Sequence, residues 1–113
     1  MACGSLEIEI LNSIWELTSS EENNDISIQD IVDYLSSRGV ERAYTTIKTV
    51  MDRLVAKSIL VRYKSGKKFF YNAVMDKEEM AANAVSEIIT NFFGGSSTDL
   101  IHFVENKYSL LSK

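Results

Sequence analysis

The residue types best suited to chemistry in this chain are lysine and arginine, and nine of its twelve basic residues lie between positions 38 and 68. These nine are Arg38, Arg42, Lys48, Arg53, Lys57, Arg62, Lys64, Lys67 and Lys68. The segment carries a charge of +7, against −8 for residues 1–37 and −3 for residues 69–113, so the net charge of −4 conceals a strongly basic block. Such a local positive field favours polyanion binding, because each phosphate neutralised at a contact releases counterions. The alternative is a solvated surface that is basic without binding anything.

The residues needed for catalysis or metal binding do not form recognisable sets in this sequence. His102 is the only histidine and Cys3 the only cysteine, which argues against zinc or copper ligand sets and an internal disulfide. Paired catalytic carboxylates and a nucleophile with a histidine base are not recognisable, and Gly94–Gly95 follows a predicted helix instead of opening one. We therefore predict no enzymatic activity, no metal and no cofactor.

The length and apolar content of the chain indicate one compact domain with a short appendage. No apolar stretch approaches the roughly 18 residues that a membrane-spanning helix needs. Neither a basic nor an apolar segment precedes Cys3, so no export signal is recognised. We expect a cytoplasmic protein.

Two helices are predicted before the basic block. Apolar residues recur at helical spacing over residues 6–15, and the polar stretch Thr18–Asp25 then indicates a surface loop. Ser27 and Asp30 have the spacing of a capping box at the start of a second helix, which Gly39 ends. A third helix is predicted over residues 43–57, with its apolar side facing inward through Ile47, Val50, Met51, Leu54 and Val55.

A two-stranded hairpin is predicted after the third helix. Ile59–Lys64 alternates apolar and basic residues, Ser65–Gly66 indicates a turn, and Lys67–Tyr71 is rich in aromatic residues. Three helices followed by a hairpin is the order of a winged helix-turn-helix domain, so the predicted fold is mainly α, of the α+β class. The hairpin, or wing, places three lysines beside the third helix: Lys64, Lys67 and Lys68.

The predicted function of this arrangement is sequence-specific binding of double-stranded DNA. Side chains of the third helix can read base edges, whereas wing lysines contact phosphates and carry no sequence information. The predicted contacts are Arg42, Tyr44, Thr45, Thr46, Lys48, Thr49, Arg53, Lys64, Lys67 and Lys68. Each threonine could instead be ordinary helix surface, and Arg53 could pair with Asp52 or Glu41. A winged helix that binds only protein is the alternative for the whole domain, but it does not need the basic block.

Two further helices are predicted after the wing, and both are apolar on one side. Residues 76–113 are therefore predicted as a dimerisation region, and residues 1–75 as the DNA-binding domain. Appended to a domain with its own core, this helical hairpin would expose a larger apolar patch than monomers usually tolerate. The alternative is packing onto its own winged domain. The predicted dimer contacts are Ile88, Phe92, Leu100, Ile101, Phe103 and Val104.

Four segments of the chain together form a recognisable motif set. They are LEIEILNSIWEL (Leu6–Leu17), AYTTIKTVMDRLVAKSIL (Ala43–Leu60), YKSGKKFFYNAVMDKEE (Tyr63–Glu79) and NFFGGSSTDLIHFVE (Asn91–Glu105). Through them the sequence resembles the penicillinase and methicillin-resistance repressors, the BlaI/MecI family. The YTT and DRL motifs of the third helix, followed by a K-x-G wing, are specific in combination, although each alone is weak.

The resemblance implies a homodimeric repressor that binds a palindromic operator and is inactivated by cleavage in its dimerisation region. In such families a membrane sensor with a metalloprotease domain commonly triggers the cleavage. The matching bond in this chain joins His102 and Phe103, and relatives typically have Asn at the position of His102. A second departure is Ser58, which stands where the family usually ends the third helix with Gly.

Overall fold

The structure, a computed structural model, describes residues 4–20 and 25–108, so Cys3 lies outside it. The described residues fall into two compact units, which are divided between Lys77 and Glu78. The elements are α1 (Ser5–Ser20), α2 (Ile28–Ser37), α3 (Tyr44–Ala56), β1 (Leu60–Ser65), β2 (Lys68–Ala73), α4 (Lys77–Phe92) and α5 (Ser97–Tyr108). The predicted order of three helices, a hairpin and two helices is confirmed. No helix in these ranges is long and apolar enough to cross a membrane.

The core of the first unit is built from the apolar sides of α1, α2 and α3, and the hairpin adds Leu60 and Tyr71 to it. Burial of each such side chain contributes about 1.5 to 3 kcal/mol, and this drives the three helices together. The side chains with almost no exposure are Ile10, Ile14, Ile31, Ile47, Met51, Leu54, Leu60 and Tyr71. Four of the five residues predicted to face inward on the third helix are buried, whereas Val55 is half-buried.

The predicted start and end of α2 are both confirmed. The Ser27 side chain accepts a hydrogen bond from the Asp30 amide at 3.1 Å, and the Asp30 carboxylate accepts one from the Ser27 amide at 2.9 Å. After α2, Gly39 adopts a left-handed backbone with φ of 82°. The amide of Val40 then donates to the carbonyl of Leu35 at 2.8 Å, which closes the helix.

Two predicted boundaries were wrong by a few residues. The loop predicted to begin at Thr18 begins later, because α1 continues to Ser20. The hydroxyl of Thr18 donates to the carbonyl of Ile14 at 2.8 Å, which satisfies this polar side chain within the helix. The hairpin turn consists of Gly66 and Lys67 instead of Ser65 and Gly66, since Ser65 still pairs with Lys68 across the strands. Glycine at the first position of a two-residue loop, here with φ of 65°, suits a tight hairpin turn.

The end of α3 has the backbone geometry of a C-terminal cap that usually contains glycine, but here the left-handed residue is a serine. Ser58 has φ of 62°. Its amide donates to the carbonyl of Val55 at 2.9 Å, and the amide of Ile59 donates to the carbonyl of Leu54 at 2.9 Å. These two bonds form a Schellman motif, in which the left-handed residue is usually glycine. A non-glycine side chain raises the energy of that backbone conformation by roughly 1 to 2 kcal/mol.

We expect Ser58→Gly to stabilise the protein by about 0.5 to 1 kcal/mol, because relief of this strain outweighs the greater flexibility of glycine in the unfolded chain. The matched opposite change is Gly39→Ala, which should destabilise by about 1 kcal/mol. A methyl group at Gly39 would meet nothing within 4 Å, so only the backbone strain changes there. Urea unfolding measures both free energies, and a Ser58→Gly protein no more stable than the parent would contradict this reasoning.

A partly buried ion pair joins the start of α1 to the end of α3. The carboxylate of Glu7 is buried and accepts hydrogen bonds from the Lys57 ammonium at 2.9 and 3.1 Å and from the Gly4 amide at 2.8 Å. The bond from the Gly4 amide, followed by that from Lys57, holds the pKa of Glu7 below its ordinary value. A lowered pKa in the folded state means that the ionised carboxylate stabilises the fold at neutral pH.

We expect Glu7→Gln to lower the free energy of unfolding by about 1 to 3 kcal/mol at pH 7. The stabilisation is complete above the unfolded-state pKa and is lost as pH falls through the lower folded-state pKa, where Glu7 becomes protonated. The difference between parent and variant should therefore shrink in acid. Urea unfolding across a pH series measures it, with Glu9→Gln on the exposed side of α1 as the control. A difference that does not depend on pH would contradict the assignment.

The second unit is a helical hairpin of α4 and α5. Gly94 and Gly95 separate the helices, and both have positive φ. The side chain of Ser96 accepts a hydrogen bond from the Asp99 amide at 3.1 Å and caps the start of α5. Within the unit, the ring of Phe103 lies 5.4 Å from that of Phe93. Neither helix contains a buried residue.

Candidate DNA-binding surface

The exposed side of α3 carries the residues that sequence analysis assigned to base reading. Its opposite side is buried in the core, so the apolar pattern of the sequence fixes which side faces solvent. The hydroxyl of Thr49 donates to the carbonyl of Thr45 at 2.9 Å, so its proton is used within the helix while its oxygen can still accept a hydrogen bond. The exposed residues of this side are Tyr44, Thr45, Thr46, Lys48, Thr49 and Arg53.

The start of α3 has backbone groups that a phosphate could bind. The N-cap residue is Ala43, and no side chain caps the helix there. The first amides of a helix lack intrahelical partners and carry a partial positive charge, so they favour an anion. Arg42 precedes the cap, is exposed, and donates to the carbonyl of Glu41 at 2.9 Å. Sequence analysis did not identify Ala43, because the lack of a capping side chain is visible only once the helix start is known.

The wing presents its cations at and beside the hairpin turn. Lys67 lies in the turn and Lys68 begins β2, while Lys64 lies on β1 opposite Phe69. All three lysines are exposed. The ring centroid of Phe69 lies 5.7 Å from the Lys64 ammonium and 4.9 Å from the guanidinium carbon of Arg62, so both cations are within cation–π distance of this ring. This surface can contact several phosphates at once.

One carboxylate connects α3 to both strands of the wing. Asp52 accepts a hydrogen bond from the Lys48 ammonium at 2.7 Å and is paired with the Arg62 guanidinium at 3.4 Å. It also accepts a bond from the hydroxyl of Tyr71 at 3.3 Å. Arg62 and Tyr71 lie opposite each other in the strand register, which brings both toward Asp52. The hydrogen bond from Lys48 holds the pKa of Asp52 below its ordinary value, and the same bond raises the pKa of Lys48.

Several members of this site were missed or assigned differently by sequence analysis. Asp52 was considered as a partner of Arg53, but it pairs with Lys48 and Arg62. The other suggested partner of Arg53, Glu41, accepts a hydrogen bond from Ser36. The four-residue spacing of Lys48 and Asp52 on one helix was a signal that could have predicted their pairing. The contact with Arg62 had no such signal, since it depends on the register of the hairpin.

The predicted dimer contacts remain exposed in the single chain, with one exception. Phe92 is 77 % exposed and Ile101 53 %. The exception is Leu100, which is half-buried, and the other three are also exposed: Ile88, Phe103 and Val104. The bond between His102 and Phe103 lies within α5, and the ring of Phe103 also lies 6.4 Å from that of Tyr108.

Comparison with known proteins gives consistent matches over most of the chain. The profile described as "Penicillinase repressor" matches residues 3–112. A Mycobacterium tuberculosis protein named "Transcriptional regulator BlaI" is 26 % identical over 104 residues, which covers 90 % of this chain and 71 % of that protein. A Staphylococcus aureus protein named "Penicillinase repressor" is 26 % identical over 102 residues, which covers 89 % of this chain and 75 % of that protein.

Proposed function

The chain belongs to the penicillinase repressor family, and from that premise we propose that it is a sequence-specific DNA-binding repressor that acts as a homodimer on a palindromic operator. The family is one of transcriptional repressors and not of enzymes. Because a repressor must share a compartment with DNA, we expect the protein in the cytoplasm. The observation that carries the proposal is the exposed side of α3, which bears hydroxyl and basic side chains beside a wing with three exposed lysines.

Each part of this surface suits a different part of a DNA duplex. The major groove accepts an α-helix, and the threonine and lysine side chains of α3 can reach base edges there. The uncapped amides of α3 and the adjacent Arg42 suit a phosphate beside the groove. The wing lysines suit phosphates farther along the backbone, where they add affinity without sequence preference.

Dimerisation is supported by the apolar side chains that α4 and α5 expose. Leaving a large apolar side chain in water instead of burying it costs about 1.5 to 3 kcal/mol, so a second copy of the hairpin would gain from covering several of them. A dimer also places two α3 helices against two half-sites, which is how a palindromic operator is read. In this proposal, residues 1–75 bind DNA and residues 76–113 form the dimer.

Proteolysis in the dimerisation region would inactivate the proposed repressor. A cut between His102 and Phe103 would separate Phe103 and Val104 from the rest of the interface. Both side chains are exposed within α5, so the partner subunit would lose their contacts. A membrane sensor with protease activity is the proposed source of the cut.

Retention on heparin followed by titration with duplex DNA tests the proposed function. We expect retention that weakens with salt, and binding of random-sequence duplex that weakens in the same way, despite the net charge of −4. The competing function is a winged helix that binds only protein, which the exposed apolar helices alone would also suit. A protein that passes through heparin at low salt and shifts no duplex would favour that competing function.

A further inference from the structure

We propose that Asp52 is a positioning residue for DNA recognition: its carboxylate holds Lys48 of α3 and Arg62 of the wing in fixed places, so that nonspecific DNA binds less tightly and operator sequence is discriminated better. The inference rests on the proposed DNA-binding function. Asp52 carries a negative charge that opposes phosphate binding, so its presence on this surface needs an explanation.

Asp52 is the single acidic residue of α3, and it lies on the side of the helix that carries Lys48. A solvated carboxylate there would only repel phosphates. This one is engaged by two cations, since the Lys48 ammonium lies at 2.7 Å and the Arg62 guanidinium at 3.4 Å. The side chains of both cations are still 51 % and 41 % exposed, so each would be able to reach a phosphate if it were released.

The carboxylate is also fixed from the protein interior. The hydroxyl of Tyr71 donates to it at 3.3 Å, and Tyr71 is only 1 % exposed. The amide of Tyr71 donates to the carbonyl of Ile26 at 2.8 Å, which ties this part of β2 to the segment before α2. Asp52 is thus held at a defined point of the core surface, and it transmits that position to one cation on α3 and one on the wing.

Two consequences follow for DNA binding. A restrained Lys48 loses less conformational freedom on meeting one base or phosphate in the operator, and it adapts less readily to other sequences. The negative charge also offsets one of the two cations, so the cluster of Lys48, Asp52 and Arg62 carries +1 instead of +2. The affinity for nonspecific DNA depends on the number of phosphates neutralised. Because Asp52 offsets one cation, this affinity is lower than the number of lysines and arginines on the surface would predict.

The test is Asp52→Asn, which removes the charge and keeps the size of the side chain. We expect binding to a scrambled duplex to become several-fold tighter, with a salt dependence steeper by about 0.9 for each phosphate newly neutralised. We expect the ratio of affinities for preferred and scrambled duplex to fall by about tenfold. The preferred duplex is one that the wild-type protein recovers from a pool of randomised sequences.

The matched control is Asp33→Asn, which changes the net charge equally at an exposed position of α2. Asp33 accepts a hydrogen bond from Gln29 of its own helix at 2.8 Å, so its loss leaves the cluster around Asp52 intact. The control should keep the affinity ratio. An equal rise in affinity for both duplexes in Asp52→Asn would reduce Asp52 to a simple charge effect and overturn the proposal. A changed preference at one base pair, with the ratio otherwise kept, would make Asp52 a base-reading residue and would also overturn it.

A second variant keeps the test decisive if circular dichroism shows that Asp52→Asn does not fold. Tyr71→Phe removes only the hydroxyl that anchors the carboxylate, and it should also lower the affinity ratio. An unchanged ratio in a folded Tyr71→Phe protein would overturn the positioning role. The wild-type protein alone tests the proposed function, before any variant is compared. If it binds no duplex, or binds all duplexes equally, the proposed function is wrong, whatever the role of Asp52.

Discussion

Phe92→Asp should convert the proposed homodimer into a monomer and weaken operator binding by at least about tenfold, which is 1.4 kcal/mol. Phe92 is the most exposed large apolar side chain in the described part of the chain, at 77 %. A carboxylate within the proposed dimer interface would have to be buried without a partner, and the dimer would be strongly destabilised. Two half-sites bound by one dimer gain from effective concentration, and a monomer loses that gain with α3 and the wing intact.

Light scattering and titration of labelled operator at one fixed salt concentration measure the two effects together. The matched control is Thr90→Asp, which places the same charge on the same turn of α4 but on another side of the helix. Truncation after His102 applies the same test to the proposed cleavage, and nonspecific binding of the truncated chain should persist. A monomeric mass for the wild-type protein, unchanged by Phe92→Asp, would contradict the proposed dimer. Equal operator affinities of full-length and truncated protein would remove α5 from the mechanism.

Replacement of Lys64, Lys67 and Lys68 by alanine should weaken binding to every duplex by about a hundredfold at physiological salt. All three side chains are exposed on the wing, where we assign them to phosphates. Each lost phosphate contact lowers the salt dependence by roughly 0.9, so three should lower it by about 2.7. Preference among sequences should change little, because phosphate contacts carry no sequence information.

Thr46→Ala should behave in the opposite way, with altered preference among operator variants and a nearly unchanged salt dependence. Lys107→Ala in α5 is the charge control for the wing variant and should leave binding unchanged. A wing variant that changes sequence preference, together with a Thr46→Ala variant that does not, would show that the assumed orientation on DNA is wrong.

The helices and the hairpin could be predicted because their signals are local. The apolar spacing of α3 depends on residues three and four apart, and the capping box of Ser27 and Asp30 on residues three apart. The same local chemistry identified the exposed threonines of α3. The errors at Thr18 and Ser65 were also local, since polar residues at the end of a helix or strand can be satisfied either inside or outside it.

The contacts that join α3 to the wing and to α1 could not be predicted, because they join residues far apart in the sequence. Tyr71 is 19 residues from Asp52, and Lys57 is 50 residues from Glu7. Their pairing requires the packing of α1 on α3 and the register of the hairpin. The left-handed backbone at Ser58 could not be predicted either. The sequence shows that serine replaces the glycine usual in the family, but it does not show that the backbone keeps the left-handed conformation.

Recovery of genomic fragments by the purified wild-type protein tests the central claim most directly. Fragments retained at moderate salt are sequenced and compared with those retained by the variant that lacks the three wing lysines. We predict that the wild-type fragments share an inverted repeat whose half-sites are separated by about one helical turn of DNA or a multiple of it. Fragments that share no sequence and match the genomic average would contradict the proposal that this chain is a sequence-specific repressor.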